Sequence, residues 1–338
     1  MSEAVDGTRD SRGQWQPEER PETAPLWAWP PRPIEALKWI FGNPGYLWPW
    51  TVIYSLLAIV TWAFTQPELS LMAEFRVDWI AQIYLRNLAL LVLVAGGLHL
   101  RLYTFRGQGS QYKYHPKWLG EKNPAFLWGD QLRDNIFWSV ASGCTVWTAY
   151  EVLTMWAYAN DLIPYLDWRT EPITFSLLLC AIVLWHMAHF YFTHRLIHWK
   201  PLYRSAHYQH HKNVNVGPWT GLAMHPIEHV IYFSGVLIFW IVPAHPIHAL
   251  VLLQLAALSP APGHAGFDQL VVKGKATLPG DFFHYLHHRY FECNYGDPAV
   301  PFDRWFGTFH DGSSQARARM QKRWGAHRDQ ASIKPRVG

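Results

Sequence analysis

The sequence predicts an all-α integral membrane protein, with about four transmembrane helices, a membrane hairpin and a cytoplasmic helical cap that carries clustered histidines. Three observations favour this fold class. Half of the 338 residues are hydrophobic and only 16% are charged, below the roughly 25% usual for soluble domains. The chain has 20 tryptophans, a residue enriched at membrane–water interfaces. It also has 19 histidines, most of them between positions 186 and 288.

Composition divides the chain into four regions. Residues 1–45 mix charges with many prolines and lack an apolar core, which predicts a disordered polar tail and no secretory signal. We expect residues 46–172 to form a transmembrane helical region and residues 173–312 a metal-binding region. Residues 313–338 are polar and basic, and they predict a second loose tail.

Four apolar segments approach the ~20 residues that a helix needs to cross a bilayer. They are Leu47–Thr65, Trp79–Leu100, Asn135–Ala159 and Ile173–Thr193. A fifth, Val230–Leu258, is interrupted by Pro243 and Pro246. Because proline removes a backbone donor and disfavours helix before it, we expect two short helices here, each too short to span. They would form a hairpin that enters and leaves on one side.

Charge placement predicts the orientation. Lys and Arg are frequent before the first span, after the second and after the fourth, whereas the two remaining loops carry only Arg76 and Arg169. Cytoplasmic loops are the positive ones, so both termini and the histidine region are expected to face the cytoplasm. Arg86 and Glu151 fall inside spans, where ionisable groups are costly. Either they pair or line a cavity, or Arg86 extends to the membrane interface.

Charge and cysteine content exclude other classes. The net charge is only +4, and no Lys/Arg run of the kind that binds nucleic acid is present. Three cysteines without a CxxC pair are too few for a disulfide framework, and they fit a reducing compartment.

Three histidine motifs follow the fourth span. They are HRLIH (194–198), HYQHH (207–211) and HYLHH (284–288). Residues four apart share a helix face, so both imidazoles of such a pair can reach one ion. A lone histidine is usually a hydrogen-bonded core residue, but three motifs in one chain predict metal binding.

The eight imidazoles of these motifs are enough for two ions. Structural zinc usually includes cysteine thiolates, which the motifs lack, and imidazole suits iron, zinc, copper or nickel. The spacing alone therefore does not select the metal. Metals at the ends of membrane helices would be within reach of an acyl or sterol chain, and lipid C–H bonds yield to iron with dioxygen rather than to zinc-bound water.

In this order behind hydrophobic spans, the motifs resemble those of the fatty acid hydroxylase/sterol desaturase superfamily, the histidine-box membrane di-iron oxidases. The similarity includes His225-Pro226-Ile227-Glu228, Gly263–Phe267, Asn294-Tyr295-Gly296 and a closing segment, Phe302–Phe309. It covers roughly residues 180–310.

The resemblance implies that nine histidines hold two iron ions, with zinc possible in purified protein. They are His194, His198, His207, His210, His211, His264, His284, His287 and His288. Some relatives lack His225, so we expect it to support the ligands or line the substrate, with Glu228 available to orient it. No catalytic residue is expected beyond the metal centre.

The implied reaction is a dioxygen-dependent hydroxylation or desaturation of a lipid such as a sterol or fatty acyl chain. Hydroxylation is favoured because it is the default outcome once hydrogen has been removed, but the lipid itself does not follow from the sequence. The chain has neither CxxCH nor GxGxxG, so an external donor, a ferredoxin or a small haem protein, would supply electrons.

Two other classes of protein remain as alternatives. A membrane zinc hydrolase would need a general base such as Glu228, but HExxH is absent. A metal-binding or transport protein would place its site near the bilayer midplane, whereas these motifs lie beyond the spans.

Overall fold

The computed structural model describes residues 7–333, without the side chains of residues 277–279 and 324–333. Helices dominate this part of the chain. In chain order they are α1 (Pro33–Phe41), α2 (Leu47–Phe64), α3 (Val77–Thr104), α4 (131–159), α5 (Pro172–Ile197), α6 (200–211), α7 (Pro226–Trp240), α8 (Pro246–Gly263), α9 (Phe282–Tyr290), α10 (Phe302–Trp305) and α11 (Ser314–Ile333). Short 3-10 helices lie at Pro25–Trp27, Leu69–Ala73, Leu127–Gly129 and Pro218–Leu222.

Two small antiparallel hairpins complete the described structure. Strand β1 (Gly7–Arg9) pairs with β2 (Trp15–Pro17), and β3 (Gln269–Val272) pairs with β4 (Lys275–Pro279). The fold class is therefore all-α, as predicted, with two short hairpins that the sequence did not indicate.

Within residues 7–333, four helices are long and apolar enough to cross a membrane, namely α2, α3, α5 and α8. The first three confirm predicted spans. The chain is thus a multi-pass membrane protein.

The remaining predicted span, 135–159, lies within α4, which is not among the four described helices that are long and apolar enough to cross a membrane. At 1.5 Å per residue α4 is about 43 Å long, and it runs antiparallel to α3. At one end Asn160 Nδ2 donates to the Ala73 carbonyl before α3 (3.1 Å). At the other end Gln131 Nε2 donates to the carbonyl of Asn215 (2.7 Å), close to the histidine motifs. Helix α4 therefore extends from the histidine side of the bundle to the opposite side.

A buried ion pair joins α3 to α4. Arg86 contacts Glu151, and their side chains are 8% and 0% exposed. Asn87 Nδ2 donates to Glu151 Oε2 (3.1 Å), and Arg86 Nη1 donates to Gln66 Oε1 (2.6 Å). Of the alternatives predicted for Arg86, the structure shows the pair, and every polar atom of the carboxylate has a partner.

The proline break in the fifth apolar stretch is confirmed, but its hairpin is deeper than predicted. Both ends lie beside the histidine motifs, whereas Leu166 N, in the loop after α4, donates to the Ala244 carbonyl at the hairpin tip (3.2 Å). The prediction that each half is too short to span is wrong for α8. Ser259 keeps helical backbone angles (φ −65°, ψ −27°), so the helix continues to Gly263 and reaches 18 residues, 78% of them buried. A helix that is apolar on all sides belongs in the centre of a bundle.

Both predicted tails are corrected by the structure. Residues 7–45 pack against the rest of the chain. Trp15 is buried, its N–H donates to the Tyr114 carbonyl (2.9 Å), and its indole N–H donates to Asp268 (3.3 Å). At the other end α11 is helical and buries Ala316 and Met320. Aromatic and apolar anchors within polar sequence explain both differences. Residues 1–6 and 334–338 of the predicted tails lie outside the described residues.

Candidate metal centre

All nine predicted histidines converge, and they do so in two adjacent groups. Within each group, one ring nitrogen per residue lies within 4.8 Å of the others. The first group consists of His194, His198, His207, His211 and His287. The second group consists of His210, His264, His284 and His288.

Each HxxHH motif contributes to both groups. On α6, His207 and His211 belong to the first group and His210 to the second. On α9, His284 and His288 are four residues apart and share the second group. His287, the residue before His288, joins the first group. Residues four apart point the same way on a helix, so one turn of each helix presents histidines to two neighbouring points.

Helix ends supply the other three ligand candidates. His194 lies in the last turn of α5 and His198 caps it. His264 follows directly after α8, where its backbone N–H donates to the Pro260 carbonyl (2.9 Å). The long membrane helices therefore end at the histidine groups and fix their position relative to the bundle.

Backbone carbonyls orient four of the rings through Nδ1. In each case the ring Nδ1 donates to a backbone carbonyl oxygen. These bonds run from His194 to Tyr295 (2.7 Å), from His264 to Pro260 (2.8 Å), from His287 to Cys293 (2.6 Å) and from His288 to Asn213 (3.1 Å). A carbonyl only accepts, so each Nδ1 carries the hydrogen, and Nε2 of the neutral ring is left with a lone pair. This arrangement is typical of metal-ligating histidines.

The free ring nitrogens face one another at close range. Nε2 of His264 lies 3.0 Å from Nε2 of both His284 and His288. Since His264 and His288 already donate through Nδ1, two lone pairs meet with no proton between them. A cation between these nitrogens removes the repulsion, so the donor set fits a metal ion.

The first group has the same character. Nε2 of His198 lies 3.0 Å from that of His207 and 3.2 Å from those of His211 and His287. His211 and His287 are themselves 3.0 Å apart. Five nitrogens thus converge on one point.

Burial lowers the pKa of these imidazoles. Removal from water disfavours the imidazolium form, and this lowers the pKa of His264 to about 4. The pKa values of His207, His210 and His288 fall well below the usual 6.5, first through burial and then through the neighbouring imidazoles. The rings are therefore neutral near pH 7, which is the form that binds metal.

Glu228 orients His207 rather than His225. Its Oε1 accepts from His207 Nδ1 (2.7 Å), and the side chain is only 3% exposed. His225 belongs to neither group and caps α7, where its Nδ1 accepts from Ile227 N (3.2 Å). The predicted Glu228–His225 relation is wrong, because the first turn of α7 directs the carboxylate toward α6.

A cavity of about 380 Å³ adjoins both groups, within the range of small-molecule sites. Histidines of both groups form part of its wall, as does Glu228. The rest is mainly apolar and comes from membrane helices. Its larger apolar residues are Trp50, Tyr54, Val183, Met187, Phe190, Ile197, Met224, Ile231, Tyr232 and Leu255. The histidine groups therefore open onto apolar space between α2, α5, α7 and α8.

The segment from Cys293 to Gly296 has a role that its residue types did not reveal. The carbonyls of Cys293 and Tyr295 accept from His287 and His194. Asp303 holds the segment in place by accepting from the N–H groups of Tyr295 (3.0 Å) and Gly296 (2.8 Å). Every residue has a carbonyl, so only its position identifies it as a support for a ligand.

Comparison with known proteins points to the same part of the chain as the histidine groups. Residues 179–308 match the family described as Fatty acid hydroxylase. The chain is 28% identical over 120 residues to the delta(7)-sterol 5(6)-desaturase of Saccharomyces cerevisiae, covering 35% of this chain and 32% of that protein. It is 33% identical over 127 residues to the delta(7)-sterol-C5(6)-desaturase of Nicotiana tabacum, covering 36% of this chain and 45% of that protein.

A third relative is named for a different activity. The chain is 30% identical over 159 residues to methylsterol monooxygenase 1 of Gallus gallus, covering 43% of this chain and 51% of that protein. The chain thus spans about a third to a half of the length of these relatives. No solved structure matches it. The family match and these relatives together support a similarity of this region to the fatty acid hydroxylase/sterol desaturase superfamily.

Proposed function

We propose that this protein is a membrane-bound di-iron oxidoreductase that uses dioxygen to hydroxylate or desaturate a lipid, such as a sterol or a fatty acyl chain. One observation carries the proposal: two adjacent all-histidine groups open onto an apolar cavity between membrane helices. The relatives, named as sterol desaturases and a methylsterol monooxygenase, support an oxidation of lipid.

The donor set favours iron. Five imidazoles in the first group exceed the four ligands that zinc usually takes in proteins, and imidazole is a good ligand for iron. Bound iron would supply the activation of dioxygen that an unreactive lipid C–H bond requires. Zinc could still occupy the site in overexpressed protein, because both ions accept imidazole.

The residues of the chain would hold, orient and isolate the reactants. The apolar wall from α2, α5 and α7 binds a lipid chain and excludes water, which strengthens electrostatic interactions inside the site. Glu228 Oε1 accepts the Nδ1 hydrogen of His207, and a carboxylate in this position makes the opposite ring nitrogen a better ligand. Oε2 of the same carboxylate has no hydrogen-bond partner among the described residues, and Glu228 lies at the cavity wall.

Electrons would come from a separate protein, a ferredoxin or a small haem protein. With the orientation inferred from charge, that donor would approach the histidine side of the bundle from the cytoplasm. Turnover with dioxygen and no added reductant would contradict this part of the proposal.

Metal content of the detergent-purified chain, measured by plasma mass spectrometry, tests the centre. About two irons per chain are expected, with loss of both in a His210→Ala/His287→Ala variant that removes one ligand from each group. His225→Ala is the matched control and should retain both. Equal metal in wild type and double variant would refute the site.

The reaction itself needs a second assay. Iron-loaded protein, an electron donor system and extracted membrane lipids are incubated with ¹⁸O₂, and the lipids are analysed by mass spectrometry. Incorporated ¹⁸O indicates hydroxylation, and a new double bond without ¹⁸O indicates desaturation. Two zincs, with no lipid oxidation after iron reconstitution, would instead favour a hydrolase.

A further inference from the structure

Helix α1, within the segment predicted to be disordered, exposes an apolar stripe. Ile34, Leu37 and Phe41 are 68%, 55% and 69% exposed. Their spacing of three and four residues places them on one face of the helix. Trp29, just before the helix, is 90% exposed. Contiguous exposed apolar side chains of this size mark an interaction surface.

The opposite face of α1 is held in place. Trp39 packs against Tyr46 with ring centroids 5.2 Å apart, and Tyr46 N donates to the Trp39 carbonyl (2.8 Å). The hydroxyl of Tyr46 in turn donates to the Cys180 carbonyl in α5. The exposed stripe is therefore a fixed part of the bundle surface.

This surface continues into the membrane-facing side of α2. Ile53, Leu56 and Val60 on that helix are 41%, 55% and 50% exposed, and α2 is apolar enough to cross a bilayer. On its other flank, Trp27 lies edge to face with Trp305 of α10 (6.0 Å between centroids), and Trp305 is 63% exposed. One apolar surface thus runs from the first span across α1 to α10.

The same segment is bonded to the wall of the cavity. Ala24 N donates to the Pro298 carbonyl (3.0 Å), and Trp27 Nε1 donates to the Ala299 carbonyl (2.8 Å). Pro298 lines the cavity, as does Trp50 in the first turns of α2. Residues on both sides of α1 therefore connect its exposed stripe to the cavity.

We propose that α1 lies in the plane of the membrane interface, with Ile34, Leu37 and Phe41 in the boundary between headgroups and acyl chains. Exposed tryptophans, Arg32 at the start of α1 and Lys38 in its last turn fit such a helix, because indoles and long basic side chains favour the headgroup layer. The anchor sets the depth of the bundle so that the cavity wall at Trp50 and Pro298 lies at the headgroup level. Lipid would then enter the cavity from the membrane at this level, an inference that rests on the proposed function.

Fluorescence of a polarity-sensitive label tests the anchor directly. A nitrobenzoxadiazole label is placed on Leu37→Cys in the full-length protein, reconstituted in phosphatidylcholine vesicles, and compared with the same label on Glu18→Cys, an exposed residue outside α1. Lipids brominated in the upper acyl chain should quench the Leu37 label and leave the Glu18 label unchanged, while aqueous iodide should do the reverse. Strong iodide quenching at Leu37 would overturn the proposal.

A second copy of the chain is the competing occupant of this surface. Protection of the Leu37 label from both quenchers, with self-quenching that disappears when labelled protein is diluted with unlabelled protein, would show that copy and also overturn the proposal.

A variant separates the anchor from the chemistry. Leu37→Asp should weaken lipid quenching of a label on Phe41→Cys, and Leu37→Met should not. Iron content should be unchanged in both variants, since α1 supplies none of the nine histidines. If the chain binds no iron, the labelling result still tests the anchor. If the label is not quenched by lipid, the iron content still tests the metal centre.

Discussion

Glu228→Gln isolates the contribution of one carboxylate to one of the two histidine groups. Glutamine keeps the shape of the side chain and can still accept from His207 Nδ1, but it removes the negative charge. The bond is 2.7 Å long and almost fully buried. Hydrogen bonds to charged groups contribute about 1.5–3 kcal/mol, against about 1 kcal/mol for neutral ones. Partners behind ligating histidines are worth about 10–100-fold in metal affinity, or about 1.4–2.8 kcal/mol.

The two groups make the measurement internally controlled. Glu228 bonds to His207 of the first group, and no hydrogen bond joins it to the second group among the described residues. Iron-loaded protein is titrated with a chelator, and iron per chain is counted after desalting. In the variant, one iron should leave at about 10–100-fold lower chelator concentration, and the other should leave as in wild type.

The control is Glu171→Gln, an exposed glutamate before α5, which should match wild type in both steps. Glu228→Ala should weaken the first step further, because it leaves a buried N–H without an acceptor, at a cost of about 1–3 kcal/mol. If Glu228→Gln leaves both steps unchanged, or weakens both equally, the carboxylate does not act through His207 as argued.

Three further predictions follow from individual contacts. His287→Ala and His288→Ala are neighbours in sequence but belong to different groups, so each should reduce the metal content from about two to about one per chain, as measured by plasma mass spectrometry. Arg86→Met should destabilise the detergent-solubilised protein by about 3–5 kcal/mol, since it leaves Glu151 buried without its cation; thermal unfolding measures this. Tyr103→Phe removes an O–H that donates to two backbone carbonyls (2.9 and 3.0 Å), one of them adjacent to His264, and should cost about 1–3 kcal/mol and weaken metal retention in the second group.

Each of these has an outcome that contradicts it. Loss of both metals from His287→Ala alone would mean that the two groups act as one site. For the ion pair, Arg86→Met/Glu151→Met should regain most of the lost stability, and a double variant as unstable as the single one would refute the pairing argument. Equal chelator sensitivity of Tyr103→Phe and wild type would show that the hydroxyl does not position His264.

Local pattern in the sequence was sufficient for several features. The spacing within HRLIH, HYQHH and HYLHH, with the family resemblance, identified all nine histidines that converge in the structure. Apolar length identified three spans, and the prolines at 243 and 246 located the turn of the hairpin. These features depend on neighbours within about one helical turn, so the sequence carries them directly.

Tertiary structure alone decided the rest. Whether a given histidine of HxxHH joins the first or the second group depends on how α6 and α9 face each other, and 76 residues separate His211 from its neighbour His287. The partner of Glu228, the carbonyls that hold the rings and the order of residues 7–45 all depend on contacts between distant segments. The sequence pattern also ended the second half of the hairpin at Leu258, whereas the backbone of Ser259 stays helical and α8 continues to Gly263. Spacing in sequence determines which side chains share a face, but only packing determines what that face meets.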